Sequence, residues 1–271
     1  MMAWLMLRAR WRDSLRIVAT CASVLVANVA APCAHAESSP VVAAAASLRY
    51  ALEEIAALFE VRTGQRVRLT FGATGSIVHQ IENGAPYELF IAADEGSVMR
   101  LAGDGRTQGA PTILALGRIS LVAPRGSPVA VDAEFAALAA ALAAGKVDHF
   151  AIANPQVAPY GRAAREALEK AGLWAKVAPH LVTGENVGQA AQFATTGAVQ
   201  AGIIAHSLAV SPEMAPRITA ALIPEDWHQP VKHGMALLKG AGDVARSFAD
   251  FVKGSEARAI LERNGFSAPA P

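Results

Sequence analysis

The stretch Val41-Val-Ala-Ala-Ala-Ala-Ser-Leu-Arg-Tyr-Ala-Leu-Glu-Glu-Ile-Ala-Ala-Leu-Phe59 decides the fold. Residues 41–46 are an unbroken run of small apolar side chains, the pattern of a strand buried on both faces in a parallel sheet. After Ser47 the apolar positions move to Leu48, Leu52, Ile55, Ala56 and Phe59, the spacing of one helix face, and Gly64 closes that helix. The same unit recurs. Residues 66–71 alternate with Val67, Leu69 and Phe71 on one side; Gly72-Ala-Thr-Gly-Ser76 follows, then a short helix stopped by Asn83-Gly84, then a strand over 88–93. Further strands are expected at 119–123, 150–153, 201–205 and 235–238. Helices are expected at 133–144, from Pro159 to Gly172, from Val187 to Thr196, and over 243–253 and 255–263, with Ser255 as the last N-cap. Strands alternating with helices define an α/β chain with largely parallel sheets.

The 271 residues are 53% hydrophobic and 17% charged, which supplies a core and excludes a disordered chain. A net charge of +1 offers no basic surface to nucleic acid. Part of the apolar excess lies outside the fold. Arg8, Arg10, Arg12 and Arg16 face only Asp13, residues 17–31 are uncharged and mostly apolar, and Ala34-His-Ala36 follows. A basic start, a short apolar run and an Ala-x-Ala site predict a secretory signal peptide over 1–36, cleaved after Ala36. A membrane anchor needs roughly 20 apolar residues, more than this run provides. Cleavage leaves 235 residues with a net charge of −2 and neither Cys21 nor Cys33. Pro32 and Thr20 precede the two cysteines, which argues against a lipoprotein. The expectation is a soluble exported protein without disulfide or thiolate chemistry.

Four places where a strand hands over to a helix carry the functional signal: Ala45-Ala-Ser47, Ala73-Thr-Gly-Ser76, Pro159-Tyr-Gly161 and Asn186-Val-Gly188. None holds a lysine, arginine or histidine. Helix N-termini present unpaired N–H groups and the positive end of the helix dipole, so they attract anions without a formal charge. Small residues let an anion approach the backbone closely. Read singly, Ser47, Thr74 and Ser76 are better explained as helix caps; two pairs of such junctions in two α/β lobes bring the binding reading level, and the residues alone leave both open.

Several segments together resemble the periplasmic molybdate-binding proteins of ABC importers: Val42-Ala-Ala-Ala-Ala-Ser-Leu48, Phe71-Gly-Ala-Thr-Gly-Ser76, Gln80-Ile-Glu-Asn-Gly-Ala-Pro86, Leu89-Phe-Ile-Ala-Ala-Asp94, Pro159-Tyr-Gly161, Gly202-Ile-Ile204, and Lys253-Gly-Ser-Glu-Ala-Arg with Asn264-Gly-Phe266. They run in the family's order along nearly the whole mature chain. The resemblance implies a two-lobed type II periplasmic-binding fold, each lobe a mostly parallel sheet flanked by helices, with the ligand cleft between lobes. Lobe 1 is expected at 37–121 plus 226–271 and lobe 2 at 122–225. It implies hydroxyl donors at Ser47 and Thr74 and backbone donors at Tyr160 and Val187, with Ala46, Gly75, Ser76 and Gly161 as further candidates. The implied ligand is molybdate or tungstate, and the implied partner is a membrane permease with its cytoplasmic ATPase. A monomer with no nucleic-acid partner, no cofactor, no metal-cation ligands and no catalytic residues completes the expectation.

The chain departs from the family pattern twice. Its second loop reads Gly-Ala-Thr-Gly rather than serine-rich, and Ala205-His206 stands where some members place a ligand-contacting tyrosine, for which Tyr160 is the implied substitute. A site of N–H and O–H donors suits an anion that carries two charges and no proton, since such an ion only accepts hydrogen bonds. Phosphate retains a proton and wants a carboxylate; Glu185 is the one acid beside the junctions. Sulfate also lacks a proton, so another tetrahedral oxyanion such as sulfate stays open as the alternative. The mature histidines (His79, His149, His180, His206, His228 and His233) show no metal-site spacing and are read as surface or capping residues, with His206 the one nearest the expected cleft. Asp94-Glu95 is read as a helix start, and Trp174 and Trp227 as packing residues.

Overall fold

The computed structural model describes residues 39–269. The signal peptide over 1–36, its cleavage site and both cysteines lie outside the described residues. Two five-stranded sheets organise the rest. In the first, β1 (Val41–Ala45) pairs in parallel with β2 (Arg68–Gly72) on one side and β3 (Leu89–Ile91) on the other. The long β10 (Val231–Leu238) runs antiparallel between β3 and the edge strand β4 (Thr107–Gly117). The second sheet has the order β7 (Leu181–Gly184), β6 (Phe150–Ala153), β8 (Ala201–Ala205), β5 (Ile119–Pro124) and β9 (Ile218–Leu222). There β6 is parallel to β7 and β8, while β5 is antiparallel to β8 and β9. Each sheet is therefore mixed, with four strands pointing one way and one reversed.

Ala43, Ala44 and Ala45 are buried in β1 because helices cover both faces of the sheet, and only small side chains fit beneath them. On one face lie α1 (Arg49–Thr63), α9 (Asp243–Lys253) and α10 (Ser255–Arg263), whose Phe59 and Phe248 meet edge to face at 5.1 Å. On the other lie α2 (Thr74–Glu82) and α3 (Glu95–Gly103), with Ile77, Val98 and Leu101 buried against Phe90. The second sheet packs against α4 (Ala136–Ala143), α5 (Pro159–Lys170) and α7 (Val187–Thr196). Two short helices, α6 (Trp174–Val177) and α8 (His206–Ala209), complete this lobe. Trp174 and Trp227 pack on this core as expected, Trp227 meeting Phe135 edge to face at 5.4 Å.

The differences from the sequence reading have local causes. Strands β4 and β9 are additional to the expected set: Gly109 and Pro111 interrupt β4 ahead of Ile113-Leu-Ala-Leu116, and three of the five residues of β9 are exposed. β10 starts at Val231, before the expected 235, since the alternation already begins there. α4 starts at Ala136 instead of 133, because the Asp132 carboxylate accepts the N–H groups of Glu134, Ala136 and Ala137 in a turn. The N-cap of α10 is Gly254 and not Ser255, which is its first helical residue. The chain leaves the first sheet at Gly117 and enters the second at Ile119, so the lobe boundary expected at 121 falls inside β5. It returns between Leu222 and Val231, which spans the expected 226.

Candidate functional site

Parallel pairing places the four junctions. Ala45 is opposite Gly72 in the first sheet, so the turns after β1 and β2 are neighbours. Ala153 is opposite Gly184 in the second, which brings the loop before α5 beside the loop before α7. Where the lobes meet, Ala45, Ala46, Gly72, Ala73, Thr74, Ala93, Ala158, Pro159, Tyr160 and Val187 enclose a cavity of about 10 Å3. That is about one water site, so a four-oxygen anion enters only as the walls part. No lining residue is charged.

Three of the helix starts at this cavity carry no side-chain cap. The turn at Ala46–Leu48, α2 and α5 have Ala45, Ala73 and Ala158 as N-caps, and none makes a side-chain cap bond. Alanine cannot accept the first-turn N–H groups. The Asp94 carboxylate caps α3 through Ser97 N–H at 2.7 Å, whereas α4, α8, α9 and α10 also start without a side-chain cap bond. α7 is the exception at the site, since the Asn186 carbonyl oxygen accepts Gln189 N–H at 3.1 Å and leaves Val187 at the helix tip.

Ser47, Thr74, Tyr160 and Val187 are all at most 4% exposed. Thr74, Tyr160, Val187 and Ala46 line the cavity; Ser47 does not. Neither hydroxyl caps its own helix. Thr74 Oγ1 accepts Ala93 N–H at 2.9 Å, and Ser47 Oγ lies 3.1 Å from His233 Nε2. Gly75 and Gly161 are placed differently from the expectation. The N–H of Gly75 donates to Val157 O of the other lobe at 2.9 Å, and that of Gly161 to Ala158 O at 2.9 Å, so both are already engaged. A Cβ on Gly161 would lie 2.3 Å from Ala153 O, so this glycine serves close helix–strand packing. Ser76 is half-buried and does not line the cavity.

His233 was not legible as a site residue, and its reading as a surface or capping group is corrected: it is fully buried on β10. The available signal was its alternation with Val231 and Met235 on the inner side of the strand. Burial pushes its imidazole down to about 4, outweighing the carbonyls of Ala115 and Val231 and the Asp94 carboxylate, which favour the charged form. Its ring lies between Tyr160 and Phe266, at centroid distances of 6.0 and 5.0 Å. The Tyr160 hydroxyl is buried with no hydrogen-bond partner among the described residues, and burial raises its pKa while the nearby Ser47 lowers it. His206 bonds Ser120 Oγ at 2.9 Å and does not line the cavity.

Several contacts tie the lobes together: Tyr50 Oη donates to Glu213 Oε2 at 2.7 Å, Ser207 Oγ to Ser47 O at 2.8 Å, and Arg162 pairs with Asp94 at 3.1 Å. A larger groove of about 550 Å3 opens beside them, lined by Arg49, Arg217, Glu185 and Glu213 among others. Its walls carry charges of both signs. The turn at Ala46–Leu48 and the starts of α2, α5 and α7 converge on the small cavity instead.

Two α/β lobes closing over a small uncharged cavity are the build of a two-lobed solute-binding protein. The chain matches the family of bacterial extracellular solute-binding proteins over residues 40–267. It is 36% identical over 257 residues to the molybdate-binding protein ModA of Rhodobacter capsulatus, covering 94% of this chain and 97% of that one. It is 33% identical over 237 residues to ModA of Azotobacter vinelandii, covering 86% and 92%. The solved structure of the periplasmic molybdate-binding protein of Azotobacter vinelandii superposes with a TM-score of 0.78 at 30% identity, covering 86% of this chain and all of that one. The chain belongs to the bacterial extracellular solute-binding proteins, in the group of the periplasmic molybdate-binding proteins of ABC importers.

Proposed function

We propose that the protein captures molybdate, and tungstate with it, in the periplasm and delivers the ion to a membrane permease driven by a cytoplasmic ATPase. It acts as a monomer after removal of residues 1–36, with no nucleic-acid partner and no catalytic step. The observation that carries this reading is the uncharged cavity lined by helix starts whose alanine N-caps make no side-chain bond to the first-turn N–H groups. Such a site takes a proton-free dianion and has no carboxylate for the proton of phosphate. Thr74 contributes its hydroxyl edge, Tyr160 and Val187 their N–H groups, and Ser47 its hydroxyl. The moving lobes are 39–117 with 231–269, and 119–222; the two crossings at Arg118 and 223–230 are the hinge, and the small cavity volume requires that they open.

Calorimetry on the mature protein tests this with molybdate, tungstate, sulfate and phosphate in separate titrations. The expected result is one-to-one binding of the first two, weak sulfate and silent phosphate. Ser47→Ala should then lose about 1.5–3 kcal/mol of affinity, the scale of a hydrogen bond to a charged group, while Val187→Ala changes little because its part is a backbone N–H. Saturation by sulfate with no response to molybdate overturns the reading.

A further inference from the structure

The pairing of Ser47 with His233 has a direction, and that direction matters to an anion. Ser47 Oγ and His233 Nε2 are 3.1 Å apart and both buried. The imidazole cannot swing elsewhere. Tyr160 and Phe266 flank it, and Gly117 forms the third wall, where a Cβ would lie 2.7 Å from His233 Cε1 and would collide with Tyr160 Oη. The serine backbone is also held, since Ser47 O accepts the Ser207 hydroxyl at 2.8 Å. The geometry therefore persists, and only the proton positions remain to be assigned.

A neutral imidazole has one N–H donor and one bare acceptor nitrogen. His233 Nδ1 has no hydrogen-bond partner of good geometry among the described residues. A proton on Nδ1 would find only the carbonyls of Ala115 and Val231 near the ring, neither in a hydrogen bond of good geometry with it. It would also oblige Ser47 to give its proton to Nε2, so the serine would turn only lone pairs to the cleft and repel an oxyanion. With the proton on Nε2, the histidine donates to Ser47 Oγ. The serine has one proton and two lone pairs, so its own O–H is then free to point outward. The Tyr160 hydroxyl lies near Ser47 but makes no hydrogen bond of good geometry with it.

We propose that His233 is a positioning residue for the anion site: as the neutral Nε2–H tautomer it donates to Ser47 Oγ and so turns the serine proton toward the bound oxyanion. His233 does not touch the ion. The inference rests on the reading of Ser47 as an anion donor, yet the tautomer can be measured without any ligand.

Nitrogen-15 NMR of histidine-labelled mature protein reads it directly. The expected spectrum contains a neutral imidazole protonated on Nε2, whose signals move in Ser47→Ala; His206, which bonds Ser120, moves in Ser120→Ala instead. A proton on Nδ1, or signals indifferent to Ser47→Ala, overturns the proposal. Two variants then separate orientation from packing. His233→Gln keeps an amide donor near the position of Nε2, and His233→Leu removes it. In molybdate calorimetry the Gln variant should stay within about threefold of wild type and the Leu variant should weaken by about tenfold or more, the loss expected of one charged hydrogen bond. Equal weakening of both overturns the orienting role. Wild-type protein silent to molybdate would instead strike the functional reading, and the spectrum would still judge the histidine–serine bond by itself.

Discussion

Gly161→Ala tests how packing holds the α5 donor in place. A Cβ at this position lies 2.3 Å from Ala153 O and 2.8 Å from the carbonyl carbons of Ala153 and Asn154. All three are backbone atoms at the end of β6, so no side chain can turn aside. Ordinary contact begins near 3.4 Å, which means the start of α5 must retreat by about 1 Å. Overpacking of this kind costs about 1–3 kcal/mol, and against rigid backbone the upper half of that range applies. For a chain of this size that is a fall in Tm of about 4–12 °C. Tyr160 immediately precedes Gly161 and moves with it. A hydrogen bond stretched by about 1 Å is lost, so molybdate affinity should drop about tenfold or more. Thermal unfolding and calorimetry read the two effects separately. Gly103→Ala is the control, since a Cβ there meets nothing within 4 Å and its backbone is helical; it should be neutral or slightly stabilising. A Gly161→Ala protein with wild-type Tm and affinity would refute the account.

Stability should depend on acid through His233. Burial lowers its pKa from 6.5 to about 4, so between those values the unfolded chain binds a proton that the folded chain refuses. The stabilisation is complete above pH 6.5 and is lost as pH falls toward 4, by up to about 3 kcal/mol. Burial moves His206 the same way. Urea unfolding from pH 7 to about pH 4.5 should show a steeper acid loss in wild type than in His233→Gln; parallel profiles would remove His233 from the cause. Tyr50→Phe deletes the 2.7 Å bond to Glu213 between the lobes. Glu213 stays solvated, so the loss is about 0.5–1.5 kcal/mol, seen as molybdate release faster by up to about tenfold in stopped flow, with Tm little changed. An unchanged release rate would show that this contact does not hold the closed form.

What could be read in advance follows from the range of the interaction concerned. β1, α1 and the junctions at residues 45–47 and 73–76 were legible because burial on both faces and helical periodicity are written in consecutive residues. β4 and β9 were not, because Gly109 and Pro111 break the pattern ahead of Ile113-Leu-Ala-Leu116 in β4 and three of the five residues of β9 are exposed. At the site, Thr74, Tyr160 and Val187, which the family resemblance had pointed to, line the small cavity, and Ser47 does not. Gly75 and Gly161 carry the same local signature as anion-approach glycines, but their N–H groups are engaged by Val157 and Ala158. Nothing within either loop distinguishes those roles.

The sequence alone determined the alternation of strands and helices, the family resemblance and the four uncharged helix starts, because each rests on neighbouring residues and their periodicity. Only the tertiary structure decided that three of those starts are left uncapped around one cavity. It also set His233, 186 residues from Ser47, behind that serine. Hydrogen-bond direction and cavity volume belong to groups brought together across two sheets, and no local pattern carries them. They arise when β10 inserts antiparallel between β3 and β4 and the lobes close.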